Sequence, residues 1–146
     1  MTRQQMTEKL RAISGAVIQS FKLVEGGTLI LYLGHAFPLH TADQKATRLW
    51  IESAWRLCTD HKVIAGSLDR PDFLMPQLQK LTGMTVDSVR LDGIPGDITL
   101  LLESGIMIES FTRSVQDEQW QVRCGDGFRL GLRENLELYE TMEESD

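Results

Sequence analysis

Apolar and polar residues alternate with period two along most of this chain, in short runs separated by glycine-containing turns. That period is the signature of strands with one face buried. AVIQSFKLVEGG and TLILYLG read as two strands joined through Gly26-Gly27, a hairpin signal. ATRLWIESAWRLCT reads as one long strand, with Leu49, Ile51, Ser53, Trp55 and Leu57 on the inner side and Trp50, Glu52, Ala54, Arg56 and Cys58 on the outer. KVIAGS completes a hairpin through Asp60-His61. TVDSVRL, DITLLLE, IMIESFTR, EQWQVRC and FRLGL predict five further strands.

Two stretches switch to helical spacing. Met6, Leu10, Ile13 and Val17 predict a helix over 3–14, with Thr2 and Gln5 placed for a capping box and Gly15 as its stop. Phe73, Leu74, Leu78 and Leu81 predict a second, starting at Pro71 and ending at Gly83, with Asp69 as its cap and Pro76 in its first turn. Residues 35–46, with Pro38, carry no clean period and read as a loop. The segment ENLELYETMEE fits either a strand extension (Leu136, Leu138) or a short helix (Leu136, Tyr139), and the pattern does not choose between them.

The runs repeat. IQSFKL (18–23) matches VDSVRL (86–91) by residue type, GTLILYLG (27–34) matches GDITLLLESG (96–105), and WRLCTDHKVIAG (55–66) has the layout of WQVRCGDGFRLG (120–131). The expected architecture is a single α+β domain over 1–146, mainly antiparallel β. Two related β units in a pseudo-two-fold arrangement, 16–68 and 84–133, are joined by a connecting helix at 69–83 and preceded by an N-terminal helix, with an acidic tail at 134–146. Neither unit, at about 50 residues, buries enough surface alone. Trp55 and Trp120 are the expected equivalent core anchors, since a buried Trp brings roughly 150–250 Å² of surface.

Composition narrows the function classes. At 146 residues, 42% hydrophobic and 25% charged, the chain has the make-up of a soluble globular domain. No run approaches the roughly 20 apolar residues of a membrane span, and the polar N-terminus lacks a secretory core, so a cytoplasmic protein is expected. Six of the 21 acids fall from Glu134 onward and all 15 bases precede it, so the body is balanced and the net charge of −6 belongs to the tail. A balanced body argues against nucleic acid as partner. The tail reads as a solvated, partly disordered end, or as a contact for a basic protein surface.

Candidate chemistry is sparse. His35, His40 and Asp43 share one loop, and Asp60-His61 stand at a hairpin tip, but loop histidines without converging partners do not make a metal site, and no metal or cofactor is expected. Cys58 and Cys124 read as buried thiols rather than a disulfide framework, with a Cys–His nucleophile pair as the reactive alternative. Gly26-Gly27 precedes a strand and so lacks the setting of a phosphate loop. Glu52 and Arg56, some 13 Å apart on one strand face, pair across strands if at all, and Arg56 and Arg123 read as surface ion-pair partners near the two Trp anchors.

Leu33-Gly34, L-W-I-x-x-x-W-R (Leu49–Arg56), V-I-A-G-S-x-D (Val63–Asp69), D-x-T-L-x-L-x-x-G (Asp97–Gly105) and E-x-W (Glu118–Trp120) together resemble a family of small bacterial proteins of unknown function, over roughly 16–132. Where that family's pattern carries His and Cys in the Trp strand, this chain has Glu52 and Ala54, so no ligand role carries over to those positions. The resemblance implies an accessory or immunity-type protein and no activity. The leading expectation is therefore a non-catalytic factor that binds another protein. The alternatives are a small-ligand or metal-binding protein or enzyme using the 35–46 loop, with His35, His40, Trp50 and Arg56 as candidate binding residues, and a structural subunit of a homodimer.

Overall fold

The computed structural model describes residues 1–34, 47–124 and 127–142. It is mostly antiparallel β in two sheets, with two short helices. Helix α1 (Arg3–Leu10) starts at a capping box in which Thr2 and Gln5 satisfy each other's backbone N–H groups, and continues as a 3-10 turn over Arg11–Ile13. Strands β1 (Val17–Val24) and β2 (Thr28–Gly34) form the first hairpin; β3 (Thr47–Ile51), β4 (Ala54–Cys58) and β5 (Val63–Gly66) follow. Helix α2 (Pro71–Gln79) leads to β6 (Val86–Asp92), β7 (Asp97–Leu102), β8 (Met107–Phe111), β9 (Trp120–Arg123), β10 (Phe128–Arg133) and β11 (Glu137–Met142).

One sheet runs β1-β2-β3-β9-β10-β11 and the other β5-β4-β8-β7-β6. The stretch expected as a single long strand is thus two strands in different sheets. Glu52 and Ser53 both donate their backbone N–H to the Gln119 carbonyl (2.9 and 3.0 Å), and the chain crosses over at that point. The inner set keeps its phase through the crossing: Leu49, Ile51, Ser53, Trp55 and Leu57 are all buried. Of the outer set Cys58 is buried as well.

The sheets meet at the β1 and β6 edges. Val17 faces Thr85 in an isolated bridge, Ile18 N–H bonds Met84 O (2.9 Å) and Val86 N–H bonds Ala16 O (2.8 Å). Gly15 N–H reaches Val86 O (2.8 Å) while Gly83 N–H reaches Ile18 O (2.7 Å); both glycines have φ near +90°, which favours a residue without Cβ. Both β1 and β6 carry a register break, between Ile18 and Ser20 and between Val86 and Ser88.

The core lies between the sheets, closed by Met6, Leu10 and Ile13 from the N-terminal helical segment and by Leu74, Leu78 and Leu81 from α2 and its C-terminal end. Trp55 and Trp120 are 2% and 0% exposed. Trp55 donates its indole N–H to Gly27 O in the β1–β2 turn, and Trp120 to Gly96 O in the β6–β7 turn.

Two local expectations change, and one left open is decided. Asp69 does not cap α2; its carboxylate accepts from Gly66 N–H (2.8 Å), and the N-cap position is Arg70, with Pro71 at the first helical position. Pro76 lies inside α2, beyond the first turn. The acidic segment is strand over Glu137–Met142, entered by a tight turn in which Asn135 and Leu136 take positive φ. Arg133 pairs with Glu137 (3.0 Å) and Lys9 with Glu140 (2.8 Å).

Candidate functional site

Of the expected binding residues, Trp50 and Arg56 are described and stand on different sheets. His35, His40 and Asp43 lie outside the described residues. Trp50 sits on the outer face of the six-stranded sheet, and Arg56 on the outer face of the five-stranded sheet. His61 contacts Asp60 at the exposed β4–β5 turn. Among the described residues no group of three or more His, Cys, Asp or Glu side chains is placed to hold a metal ion.

On the five-stranded sheet, pairing of β4 with β8 sets Arg56 opposite Glu109 and Cys58 opposite Met107. Arg56 reaches Glu109 at 3.5 Å and lies 4.8 Å from the Phe111 ring, a cation over an aromatic face. The Cys58 thiol donates to Glu109 Oε1 at 2.7 Å. Burial, then the Glu109 carboxylate, push this thiol up to about 11. A nucleophilic cysteine needs the opposite setting, so Cys58 is held as a protonated donor.

On the six-stranded sheet, β3 pairs with β9 so that Trp50 faces Gln121 and Arg48 faces Arg123, and β9 pairs with β10 so that Arg123 faces Arg129. Arg123 stacks its guanidinium 4.3 Å from the Trp50 ring centre and donates Nε–H to Gln121 Oε1 at 2.7 Å. Gln121, itself buried, donates to Glu52 Oε2 at 3.2 Å. Tyr139 on β11 donates its hydroxyl to Glu118 at 2.5 Å. Burial raises the Glu52 carboxyl above its ordinary value, and the Glu118 carboxylate adds to that shift. Burial and hydrogen bonding to Glu118 likewise raise the Tyr139 phenol.

The third feature is a groove of about 490 Å³ between the β1–β2 turn and the start of α2. Ser67 frames it: its N–H bonds Trp55 O (2.8 Å) and its hydroxyl accepts from Trp55 N–H (3.1 Å), which pins the following turn and turns Leu68 outward, 97% exposed. Leu23, Leu74 and Met75 line the groove together with Glu25 and Asp69. Phe73 and Met75 are further exposed apolar side chains of α2. Sequence reading passed over this feature. Its signal was Leu68 inside the polar turn GSLDRP, where no strand or helix period asks for a leucine.

The chain matches no protein-family model, no curated protein and no solved structure at a significant level.

Proposed function

We propose that this protein is a non-catalytic binding factor of accessory or immunity type, which docks on another protein through the groove beside α2. The observation that carries this reading is Leu68 and Met75 standing exposed in the lining of a preformed apolar cleft, with the exposed Phe73 on the same helix as Met75. Contiguous exposed apolar surface on a small domain marks an interaction site. The acids Glu25 and Asp69 in the lining, with Asp72 nearby on α2, select the partner's chemistry: an apolar anchor flanked by Lys or Arg.

The same reading includes a duplicated architecture, two related units about a pseudo-two-fold axis. It is supported by the reciprocal bonds Gly15–Val86 and Gly83–Ile18, by the matching register breaks in β1 and β6, and by the two indoles that each bond the turn of their own unit's first hairpin. Among the described residues strand β11 has no counterpart in the first unit, and the groove lies between that unit and α2.

A photo-crosslinking residue placed at Leu68, with a second at Ile94 as control, tests the docking face; Ile94 is 94% exposed on the β6–β7 turn. The expected result is one cellular protein crosslinked from position 68 and not from 94, through a segment with apolar residues beside lysine or arginine, and lost on Glu25→Lys with Asp72→Lys. A chain ending at Met142 separates the contribution of the last acids. Identical adducts from both positions, or none from position 68, would overturn the reading.

A further inference from the structure

The outer face of the six-stranded sheet carries three arginines in register. Arg48 on β3, Arg123 on β9 and Arg129 on β10 occupy directly paired positions on three neighbouring strands. Strands in a sheet lie about 4.8 Å apart, so three guanidinium-bearing Cα positions fall within about 10 Å. Like charges directly opposite one another across strands are destabilising, and here the conflict occurs twice in succession. Burial, with the neighbouring Arg129 and Arg48 charges, depresses the Arg123 guanidinium against the opposing pull of Glu52 and Glu118.

The central arginine of the row is also pre-oriented. Arg123 is fixed by the Trp50 ring beneath it and by Gln121, and Gln121 is anchored in turn by Glu52. An arginine used only for solubility keeps its rotamer freedom; one held in a stack has already given it up, and binding then costs less entropy. Among the described residues the Arg123 Nη atoms have no hydrogen-bond partner. The Trp50 indole N–H is shielded from solvent and likewise unpartnered among them. Glu52 and Glu118 accept hydrogen bonds from Gln121 and Tyr139.

We propose that Arg48, Arg123 and Arg129, with Arg123 held against the Trp50 ring, form a binding site for a phosphoryl group, carried by a small phosphate ester or by a phosphorylated side chain. A phosphate monoester supplies both a charge near −2 and three acceptor oxygens. Guanidinium forks match those oxygens in pairs. The site lies on the six-stranded sheet and does not depend on the docking groove, so either assignment survives failure of the other.

Arginine Nε–Hε resonances in ¹⁵N-labelled full-length protein provide the test, at constant ionic strength. The probes are inorganic phosphate, phenyl phosphate, and a phosphoserine peptide with its unphosphorylated twin. The expected result is saturable shifts at Arg48, Arg123 and Arg129 and none at the exposed Arg70. Preference for phenyl phosphate or for the phosphopeptide names the source. Arg123→Gln is expected to weaken binding by about tenfold, the scale of one charge-assisted hydrogen bond, while the melting temperature stays level or rises because repulsion is relieved. Arg48→Gln, at the end of the row and outside the stack, is expected to act in the same direction. Linear, non-saturating shifts shared by Arg70, or unchanged affinity in both variants, overturns the proposal; tighter binding of a single-stranded oligonucleotide than of either ester reassigns the row to a phosphodiester backbone and overturns it as stated.

Discussion

Trp55 and Gly27 are joined by a hydrogen bond of 2.7 Å from the indole Nε1 to the backbone carbonyl at the β1–β2 turn, across the interior from one sheet to the other. Trp120 makes the corresponding bond of 3.0 Å to Gly96. Each indole therefore acts as a strut as well as core volume. Trp55→Phe and Trp120→Phe are each expected to cost about 1–2 kcal/mol, from lost apolar contact and a carbonyl left without its donor. Truncation to Ala should cost on the order of 3–5 kcal/mol. Urea unfolding measures both pairs. Closely matched costs would support the proposed duplication, and a threefold disparity would count against it.

Gly131 is needed for space. A Cβ there would stand 2.5 Å from Trp120 O, 2.9 Å from Tyr139 Cε1 and 3.1 Å from Gln121 Cα. Two of these are backbone atoms of the neighbouring strand and cannot swing away. Gly66 also lies against a Trp carbonyl, that of Trp55, but its added Cβ would sit at 3.7 Å, an ordinary contact. Gly131→Ala is expected to destabilise by about 1–3 kcal/mol through overpacking, whereas Gly66→Ala stays within about 0.5 kcal/mol in thermal unfolding.

The inner faces of the strands were legible because alternation is a local property. It assigned Leu49, Ile51, Trp55 and Leu57 to the interior, and they are buried. It could not reveal that the chain changes sheets at Glu52-Ser53. Both sheets face one core, so a crossing strand keeps the same side inward and the period runs on unbroken. The Arg48–Arg123–Arg129 row was hidden for a different reason: it depends on the register of β3 with β9, two strands far apart in sequence, and no periodicity encodes that. Asp69 ahead of Pro71 read as a helix cap by local chemistry, and lost to a nearer donor, the Gly66 N–H. The strand at Glu137–Met142 was undecidable from its pattern, since only pairing with β10 selects it over a helix.

Cys58 should be slow to alkylate despite being a thiol on a strand facing outward. With the thiol pushed up to about 11 by burial and by Glu109, the thiolate fraction at pH 8 is about one in a thousand, and the rate should rise about tenfold per pH unit up to that value. Glu109→Gln removes the neighbouring charge while keeping an acceptor, and is expected to bring the midpoint down. Iodoacetamide labelling followed by mass spectrometry reads this directly; rapid labelling of Cys58 at pH 7 in the folded protein would contradict it.

Glu52 makes stability depend on pH in an unusual direction for a carboxylate. Its folded-state value is raised above the ordinary 4.5 by burial and by Glu118, outweighing the hydrogen bond from Gln121 and the charge of Arg123. A raised acid binds more protons in the folded than in the unfolded state, so the contribution it makes is present in full below about pH 4.5 and is lost as pH climbs through the raised value. At neutral pH the buried carboxylate is a net cost. Glu52→Gln keeps an acceptor for the Gln121 amide and removes the charge, and it should stabilise the protein at pH 7 while matching the parent near pH 4. Guanidinium unfolding at the two pH values decides the matter: destabilisation of the variant at pH 7 would mean that attraction between Glu52 and the arginine row exceeds the cost of burying it.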